Sequence, residues 1–588
     1  MQEFLQRLKQ RKLVQWAIAY VAFAFALLQG VDVVAQQFGW PDELRRGITL
    51  ALALGFFVAL VLAWYHGERG AQKLTGTELL ILTLLLAIGG GLLWRYARTP
   101  HSVGTIATSN AILPASSLAS IPAQSIAVLP LANESGAAEE QYFSDGLSED
   151  LITALSQFGG LKVISRNSSF QFRNTGDDSK TIGEKLGVAH LLEGSVRRAG
   201  DMVRISAELV NAADGSTLWS QRYDRPYKDL FALQDEITSA VATALKAKLL
   251  EGSAAMAQSE RPPSGNLDAW NAYSRGRFYS ALLSPEDARK EIGFYEQAIA
   301  LDPHYARAYA AMADAWITLG STYLARKEQP EAYARARSAA DQAYRLNPDM
   351  AAAHEARGVI LEIVDLDYTG AEIEYRRSVE LAPNDDSVSS LGTLLGALGR
   401  PRQALTLIRR GIELDPRNGG KYYWLAWNLV ATGQLDEAEQ AARKAVALAP
   451  GAFTSAGLVI VQVVRGETRP ALATAQQTPK DGWRDFALAL AMQPGLDRAA
   501  ADHALKTLIE NEAESMSYQI AEVYGLRKDP DNMFAWLDHA WDNRDSGIHR
   551  LLTDPFILPY RDDPRFAAFC RKAGLPIPDA SYGSADAG

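Results

Sequence analysis

The chain has 588 residues, of which 48% are hydrophobic and 22% charged, and its formal net charge is −10. A chain this long exceeds what one hydrophobic core can hold and predicts several folding units. The acidic balance argues against binding a nucleic-acid backbone, which needs clustered Lys and Arg. The single cysteine, Cys570, excludes an intrachain disulfide and a CxxC motif.

Three apolar segments near the N-terminus predict a membrane anchor over residues 1–98. Residues 13–35, 47–65 and 78–94 are each about 17 to 23 residues long, the length at which a helix crosses a hydrocarbon layer of ~30 Å. Trp and Tyr near the segment ends match the aromatic belts of membrane interfaces. The lipid bilayer is therefore a predicted partner, with Asp32 either at the headgroup level or acting as an intramembrane carboxylate.

The distribution of Lys and Arg predicts how the anchor is oriented. Six lie before the first span and between the second and third spans, and four lie in the other two flanks. The positive-inside rule therefore places the N-terminus in the cytoplasm and, after three spans, the C-terminal domains in a bacterial periplasm. As an alternative, residues 13–35 include a signal peptide, and the remaining two spans still deliver the chain to that side. Residues 99–124, rich in Ser, Ala, Thr and Pro, are predicted to be a flexible linker.

Residues 125–250 alternate between short strands and helices and are predicted to form an α/β sandwich domain. Turn residues separate the last three strands, which indicates an antiparallel meander. The predicted strands are 125–131, 161–165, 190–198, 202–211 and 216–223, and the predicted helices are 145–158, 181–186 and 229–250.

Four blocks in this domain resemble the TolB amino-terminal-like domain. They are residues 124–130 (QSIAVLP), 142–151 (YFSDGLSEDL), 192–198 (LEGSVRR) and 218–224 (LWSQRYD). In that family the domain often accompanies tetratricopeptide repeats, behind an adenylate cyclase domain or a winged-helix DNA-binding domain that the three spans replace here. The resemblance implies a non-catalytic domain that contacts proteins or the cell envelope, and it supplies no ligand.

Polar residues near the first helix of this domain allow several roles. Ser144 or Asp145 is predicted to cap the helix, and a catalytic carboxylate pair that includes Glu149 and Asp150 is the alternative. Candidate contacts to an anion or another ligand are Asp145, Arg166, Ser168 and Ser169. For Arg166 and the two serines, the alternative is a solvated loop.

A proline returns after a predicted helix at Pro303, Pro348, Pro383, Pro416 and Pro450, with spacings of 45, 35, 33 and 34 residues. A period near 34 predicts stacked helix–turn–helix units of the tetratricopeptide type, because each unit buries its apolar face against the next. The predicted order is a linker at 251–266, five repeats at 267–450, degenerate repeats with a cap at 451–577, and a disordered tail at 578–588.

The end of the chain resembles the end-of-group tetratricopeptide cap. The resemblance is carried by residues 521–524 (AEVY), 533–537 (MFAWL), 554–556 (DPF) and 563–566 (DPRF). A solenoid needs a cap on its last apolar face. Cys570 is therefore predicted to be a small buried hydrophobic residue and not a reactive thiol.

The first helix of each repeat is predicted to line a concave groove that binds a protein or a peptide. Helical spacing places six candidate partner-binding residues on that wall. They are Arg307, Asp314, Glu355, Glu362, Tyr423 and Trp427. Rigid aromatic rings beside charges suit peptide recognition, and the alternative for Trp427 is packing between repeats.

The sequence has no P-loop, no dinucleotide-binding glycine motif, no HExxH and no GxSxG, so no catalytic, cofactor or metal site is predicted. We predict a multidomain inner-membrane adaptor, with three transmembrane helices, an α/β domain and an all-α repeat solenoid that binds a partner protein. One alternative is a membrane signalling receptor or regulator related to cyclase-linked or transcription-activator-linked repeat proteins. The other is an enzyme of unrecognised type. The sequence leaves a homo-oligomer open.

Overall fold

The computed structural model describes residues 121–136, 140–249, 261–282, 284–324, 327–495 and 497–578. The three predicted membrane spans, nearly all of the first linker and the predicted tail from residue 579 onward lie outside these ranges. Within the described ranges, no helix is both long enough and apolar enough to cross a bilayer.

The first described domain is built on a mixed sheet. Its strands are β1 (Ser125–Val128), β2 (Ala132–Asn133), β3 (Phe158–Gly159), β4 (Lys162–Val163), β5 (His190–Ala199), β6 (Met202–Asn211), β7 (Thr217–Pro226) and β8 (Lys248–Leu249). The main sheet has the order β4-β1-β5-β6-β7, with β2 beside β5, while β3 pairs with β8. Strand β1 runs parallel to β4 and β5, and β5, β6 and β7 form the predicted antiparallel meander.

Helices cover parts of both sheet faces. They are α1 (Gln141–Leu155), α2 (Arg166–Phe170), α3 (Ser179–Leu186) and α4 (Leu230–Ala244). Helices α1 and α4 pack their apolar sides, including Leu147 and Ile237, against Val196, Ile205 and Tyr223 of the meander. Helix α3 packs on the opposite face, near β1 and β4. The meander therefore has one face buried by helices.

The structure corrects three local predictions in this domain. Helix α1 begins at Gln141 and not near Asp145, because Tyr142 and Phe143 are buried in the core and require the first turn to be helical. Ser144 and Asp145 therefore lie inside the helix and do not cap it. The strand predicted at 161–165 is only two residues long, and helix α2 follows it where the alternative to a ligand site was a solvated loop.

The helical part begins with five helix pairs. They are α5 (Leu267–Ser280) with α6 (Pro285–Leu301), α7 (Ala306–Thr318) with α8 (Gln329–Leu346), α9 (Ala351–Val359) with α10 (Tyr368–Leu381), α11 (Asp385–Ala397) with α12 (Pro401–Leu414), and α13 (Gly419–Ala431) with α14 (Leu435–Leu448). A proline of the periodic series follows the second helix of every pair, because the residue before a proline favours extended backbone and ends the helix. Helices α7 and α9 continue into the π-helical turns Leu319–Tyr323 and Ile360–Asp365.

Three further helix pairs continue the solenoid. They are α15 (Ala452–Val464) with α16 (Thr468–Gln477), α17 (Gly482–Met492) with α18 (Arg498–Glu512), and α19 (Ser517–Leu526) with α20 (Pro530–Asp542). A 3-10 segment, Ser546–Thr553, and helix α21 (Pro564–Ala573) follow. Phe566, Phe569 and Cys570 pack in one cluster with apolar residues of the third to fifth repeats. The C-terminal segment therefore does more than cover the last repeat, because it folds back on earlier ones.

Candidate functional site

Charged side chains on the first helices of consecutive repeats form the candidate site, which we call the inner wall: Arg307, Asp314, Glu355, Glu362 and Asp386. Arg307 and Asp314 are seven residues apart, as are Glu355 and Glu362, and seven residues are close to two helical turns. Each pair therefore lies on one side of its helix. The opposite sides of α7 and α9 are rich in buried alanines, which allow the paired helices to approach closely.

Hydrogen bonds to neutral hydroxyl groups hold three side chains of the inner wall. The Ser390 hydroxyl donates to Glu355 Oε1 at 2.7 Å, and the Tyr375 hydroxyl donates to Glu362 Oε2 at 2.7 Å. Arg307 Nε donates to the Tyr273 hydroxyl at 3.1 Å. Because these partners of the two glutamates carry no charge, they orient the carboxylates without neutralising them.

Desolvation inside the groove raises the pKa values of these acids. The pKa of Asp314 rises to about 7, although Arg307 opposes the rise, and Asp386 adds to it. The pKa of Glu355 rises to about 8, through desolvation first and then through the negative charge of Asp386. Desolvation likewise raises the pKa of Glu362 to about 7. The inner wall therefore gains negative charge as the pH rises through neutrality.

The α/β domain borders the inner wall at the first repeat. Trp270 of α5 is buried in the core of the α/β domain, edge-on to Phe143 at 5.7 Å between ring centroids. Arg277, two turns further along the same side of α5, forms a salt bridge with Glu149 of α1 at 2.6 Å. Although burial alone would raise the pKa of Glu149, the charges of Arg277 and Arg166 hold it below its usual value. The two domains therefore share apolar and ionic contacts here.

A second contact joins the same domain to the fourth repeat. Ser165 N donates to the carbonyl oxygen of Leu414 at 2.8 Å. The Ser168 hydroxyl donates to the buried carboxylate of Asp415 and accepts a hydrogen bond from Arg417 N at 2.9 Å. The α/β domain is thus attached to the solenoid at both its first and its fourth repeats.

The four candidate anion contacts of the α/β domain have partners or positions inside the molecule. Asp145 forms a salt bridge with Arg173 at 2.7 Å. Arg166 pairs with Glu149 at 3.2 Å, Ser168 contacts Asp415, and Ser169 is fully buried. The carboxylate that Ser168 contacts therefore belongs to the same chain. Ligand binding at these four residues stays a prediction.

The six predicted partner-binding residues separate into two groups. Arg307, Asp314, Glu355 and Glu362 share the inner wall. Tyr423 and Trp427 of α13 are each 4% exposed, and the C-terminal segment covers them. Arg550 Nη1 donates to the Tyr423 hydroxyl at 3.2 Å, and Trp427 Nε1 donates to Thr553 at 2.8 Å. Trp427 is thus buried, as it would be if it packed between repeats, and partner binding by this residue stays a prediction.

Sequence reasoning missed two residues of the site. Asp386 lies in the first turn of the first helix of the fourth repeat, and Ser390 lies one turn later on the same helix. The repeat period could have identified them, because their helix is equivalent to those that carry Asp314 and Glu355. The six candidate residues lie on the second, third and fifth repeats, and none lies on the fourth.

Comparisons with known proteins support the division into an α/β domain and repeats. Residues 122–240 match the family model of the second domain of HilA/YgeH-like transcriptional regulators. Residues 331–386 and 390–453 match a tetratricopeptide-repeat model. The chain therefore carries tetratricopeptide repeats, as predicted, whereas the resemblance to the TolB amino-terminal-like domain stays a prediction.

One relative covers a limited part of the chain. A protein of Rhizobium meliloti (strain 1021), named putative adenylate cyclase 3, is 40% identical over 191 residues, which are 32% of this chain and 31% of that protein. The match thus spans about a third of the relative's own length.

Solved repeat proteins resemble parts of the chain at low identity. YrrB, described as a tetratricopeptide-repeat protein with an unusual peptide-binding site, is 21% identical and covers 36% of this chain and 97% of its own, with a TM-score of 0.26. PilF of Pseudomonas aeruginosa is 19% identical and covers 34% of this chain and 90% of its own, with a TM-score of 0.28. PilW, a type IV pilus biogenesis factor, is 16% identical and covers 35% and 91%, with a TM-score of 0.30.

Proposed function

We propose that this chain is a membrane-anchored protein-interaction scaffold whose inner wall binds a positively charged segment of a partner protein. The observation that carries the proposal is the run of carboxylates, Asp314, Glu355, Glu362 and Asp386, on the first helices of consecutive repeats. Helical solenoids use such extended concave faces to bind partners. An acidic face favours a partner of opposite charge and disfavours acidic competitors.

The hydrogen bonds within the wall support this choice of partner. Ser390 and Tyr375 each donate a hydrogen bond of 2.7 Å, to Glu355 and Glu362 respectively. Neither donor carries a positive charge that would balance a charged carboxylate. A Lys or Arg side chain of a peptide would supply that charge and form charge-assisted hydrogen bonds, which are the stronger kind. Arg307 at one end of the wall would favour a carboxylate or a backbone carbonyl there and thereby set the direction of the peptide.

Peptide titration of the full-length chain, kept in detergent, tests the proposal. Three fluorescent peptides of equal length, one rich in Lys and Arg, one neutral and one rich in Glu, are compared by fluorescence anisotropy. We expect binding of the basic peptide, weakened by salt because the contact is ionic. Equal binding of the acidic peptide would contradict a role for the carboxylates.

Substitutions localise the binding to the inner wall. Glu355→Gln and Asp314→Asn should each lower the affinity for the basic peptide by about tenfold, because each removes a charge-assisted hydrogen bond. Glu331→Gln is the matched control, because Glu331 is 75% exposed on the second helix of its repeat and pairs with Arg335. A control that weakens binding as much as the wall variants would place the site elsewhere.

The proposed setting is the periplasmic side of a bacterial inner membrane, and the support for it is the Lys and Arg distribution around the three apolar segments. Reporter fusions after Gly588, one active only outside the cytoplasm and one active only inside, test this arrangement. We expect signal from the outside reporter. Signal from the inside reporter would overturn the orientation while leaving peptide binding by the inner wall intact.

A second candidate function is that of a membrane signalling regulator. The support is the match of residues 122–240 to a domain of transcriptional regulators and the relative named as a putative adenylate cyclase. In this alternative the spans transmit a periplasmic state inward and need an output in the cytoplasm. Signal from the inside reporter would make the regulator the leading candidate. Incubation of the full-length chain with ATP and Mg²⁺ tests a cyclase activity. Formation of cyclic AMP would contradict a purely scaffolding role.

A further inference from the structure

The meander of the α/β domain has a second face, turned away from α1 and α4, that is polar. Strand residues alternate between faces, so the neighbours of buried Val196, Ile205 and Tyr223 point outward. We call this surface the open face. It consists of Glu193, Ser195 and Arg197 on β5, Met202, Arg204, Ser206 and Glu208 on β6, and Ser220, Arg222 and Asp224 on β7.

Charges on the open face are sorted by sign along the strands. Glu193 lies directly opposite Glu208, and Arg197 lies directly opposite Arg204, four residues further along β5. Like charges placed directly across two strands destabilise a sheet. The pKa of Glu193 is accordingly raised, by partial burial first and by the charge of Glu208 second. On β5 and β6 the face therefore has an acidic end and a basic end, each with a like-charge pair, whereas on β7 Asp224 lies opposite Arg204 at the basic end.

Within the described residues, one member of each pair has a partner on β7. Arg204 forms a salt bridge with Asp224 at 2.6 Å, and Glu208 accepts a hydrogen bond from Thr217. In the described part of the chain, neither Glu193 nor Arg197 takes part in a salt bridge. A binding surface that presented the opposite order of charges would neutralise both ends at once.

We propose that the open face is a homodimer interface, on which a second copy of the chain packs with its strands reversed. A twofold axis through the level of Ser195 and Ser206 would place the basic end of one copy over the acidic end of the other. Arg197 of each copy would then face Glu193 of the other. Packed sheets lie about 10 Å apart, a distance that facing Arg and Glu side chains can bridge.

Exposed apolar side chains fit the same arrangement. Met202, at the basic end, is 46% exposed, and Leu218, beyond the acidic end, is 48% exposed. Reversal of the second copy would bring Met202 of one chain near Leu218 of the other at both ends of the interface. Arg222 lies at the level of the axis on the outer strand, so the axis would place it opposite Arg222 of the second copy. Asp224 of the same chain, 3.8 Å away, partly offsets this like-charge contact.

The size of the open face predicts a weak dimer. Three strands at about 4.8 Å spacing and ten residues at about 3.3 Å each cover on the order of 450 Å² per copy. Stable interfaces bury about 800 Å² per partner. The dimer is therefore expected to depend on protein concentration and to dissociate as salt screens the paired charges.

Charge exchange on β5 tests the proposal with the full-length chain in detergent, by analytical ultracentrifugation at low salt. Glu193→Lys and Arg197→Glu should each weaken dimerisation by about tenfold or more, because each variant places like charges against like charges. A mixture of the two variants should restore the dimer as a heterodimer. The double variant Glu193→Lys/Arg197→Glu should restore a homodimer.

These variants keep the fold intact, because each one replaces a like-charge pair inside the chain with an opposite-charge pair across β5 and β6. Thermal unfolding should therefore stay unchanged or shift upward. A wild-type chain that remains monomeric, a dimer insensitive to both single variants, or variants that the mixture fails to restore would each overturn the proposal.

Chemical crosslinking gives an independent readout. Met202→Cys and Leu218→Cys chains, mixed, should be joined by a bismaleimide that spans about 10 Å. Leu282→Cys, also 48% exposed but on the solenoid, is the matched control in place of Leu218→Cys. The native Cys570 is buried, and burial raises the pKa of its thiol to about 11, which suppresses its reaction. Crosslinking with Leu282→Cys at the same yield would overturn the assignment.

Discussion

Three acids of the inner wall have raised pKa values, so they hold protons in the folded protein that they would release in an unfolded chain. Asp314 and Glu362 have pKa values of about 7, and Glu355 has a value of about 8, all above the ordinary range of carboxyl groups. Between about pH 4 and pH 8 these three groups therefore bind more protons in the folded state than in the unfolded state. Their contribution to stability is present at low pH and is lost as the pH rises through these values.

This linkage predicts opposite pH dependences for stability and for binding. We expect the midpoint of thermal unfolding of the full-length chain to fall between about pH 5 and pH 8.5, while affinity for a basic peptide rises. Glu355→Gln, which removes the titrating group, should flatten both curves. Asp349→Asn, at a site whose side chain is 79% exposed, is the control and should change neither. A steep curve in Glu355→Gln would contradict the assignment.

One buried arginine secures the C-terminal segment. Arg550 lies 3.5 Å from Glu522 and stacks on Trp427 and Tyr518 at 4.9 and 5.1 Å from their ring centroids. Burial raises the pKa values of Glu522 and of neighbouring Asp554, so both carboxyls favour the neutral form more than usual. The positive charge of Arg550 therefore offsets part of the cost of burying these acid groups.

Arg550→Met should destabilise the protein by about 3–5 kcal/mol, because it leaves buried acids without their charged partner. Chemical denaturation with circular dichroism measures the effect. Arg409→Met is the control. It removes a salt bridge to Glu437 whose two side chains are nearly half exposed, so it should cost less than about 1 kcal/mol. Similar losses in the two variants would indicate that Arg550 acts through packing alone.

At the scale of elements, small residues determine how the two helices of a repeat pack. In the fifth repeat, Ala438 and Ala445 of α14 are fully buried, and Gly433 adopts φ +76° in the turn before that helix. An L-residue with a side chain is strained at this φ, so glycine suits the turn. Alanines on the buried side allow α13 and α14 to approach closely.

Enlarging this interface should open the fifth repeat. Ala445→Leu or Ala438→Leu should lower the free energy of unfolding by about 1–3 kcal/mol through overpacking. The fifth repeat also contacts the C-terminal segment through Tyr423 and Trp427, so hydrogen exchange should rise in residues 546–553. Ala447→Leu, at an exposed position of the same helix, is the control. Unchanged melting of the buried variants would count against the tight pairing.

For the whole molecule, the α/β domain is a structural partner of the repeats as well as their neighbour in sequence. It contacts the first repeat through Trp270 and Arg277 and the fourth through Asp415 and Arg417. A domain attached at two repeats restricts how the solenoid between them can bend. The inner wall belongs to that restrained stretch, so its carboxylates are held in place before a partner arrives.

Ser168→Ala tests this restraint. Loss of the hydroxyl removes one donor from the buried Asp415, at a cost of about 1–3 kcal/mol. We expect faster hydrogen exchange in both residues 165–172 and residues 414–418, measured by mass spectrometry. Ser156→Ala is the control, because Ser156 bonds within its own helix, to the carbonyl oxygen of Ile152. An effect confined to residues 165–172 would indicate that the two domains are not coupled at this contact.

The sequence by itself determined the local architecture. Prolines at a period near 34 residues identified the helix pairs, and alternation with turn residues identified β5, β6 and β7 within a few residues. Helical spacing also placed Arg307 with Asp314, and Glu355 with Glu362, on common helix faces. All of these features depend on neighbours within about two helical turns or one hairpin, a range over which side-chain spacing specifies the geometry.

The tertiary structure alone decided which wall residues stay accessible and what covers the others. Arg550 meets Tyr423 across 127 residues of sequence, and Ser168 meets Asp415 across 247. Such contacts depend on how far each repeat rotates relative to the last, and small rotations accumulate along a solenoid. The sequence period specifies the fold of each repeat but not the rotation between repeats. It therefore could not show that residues 546–553 cover Tyr423 and Trp427.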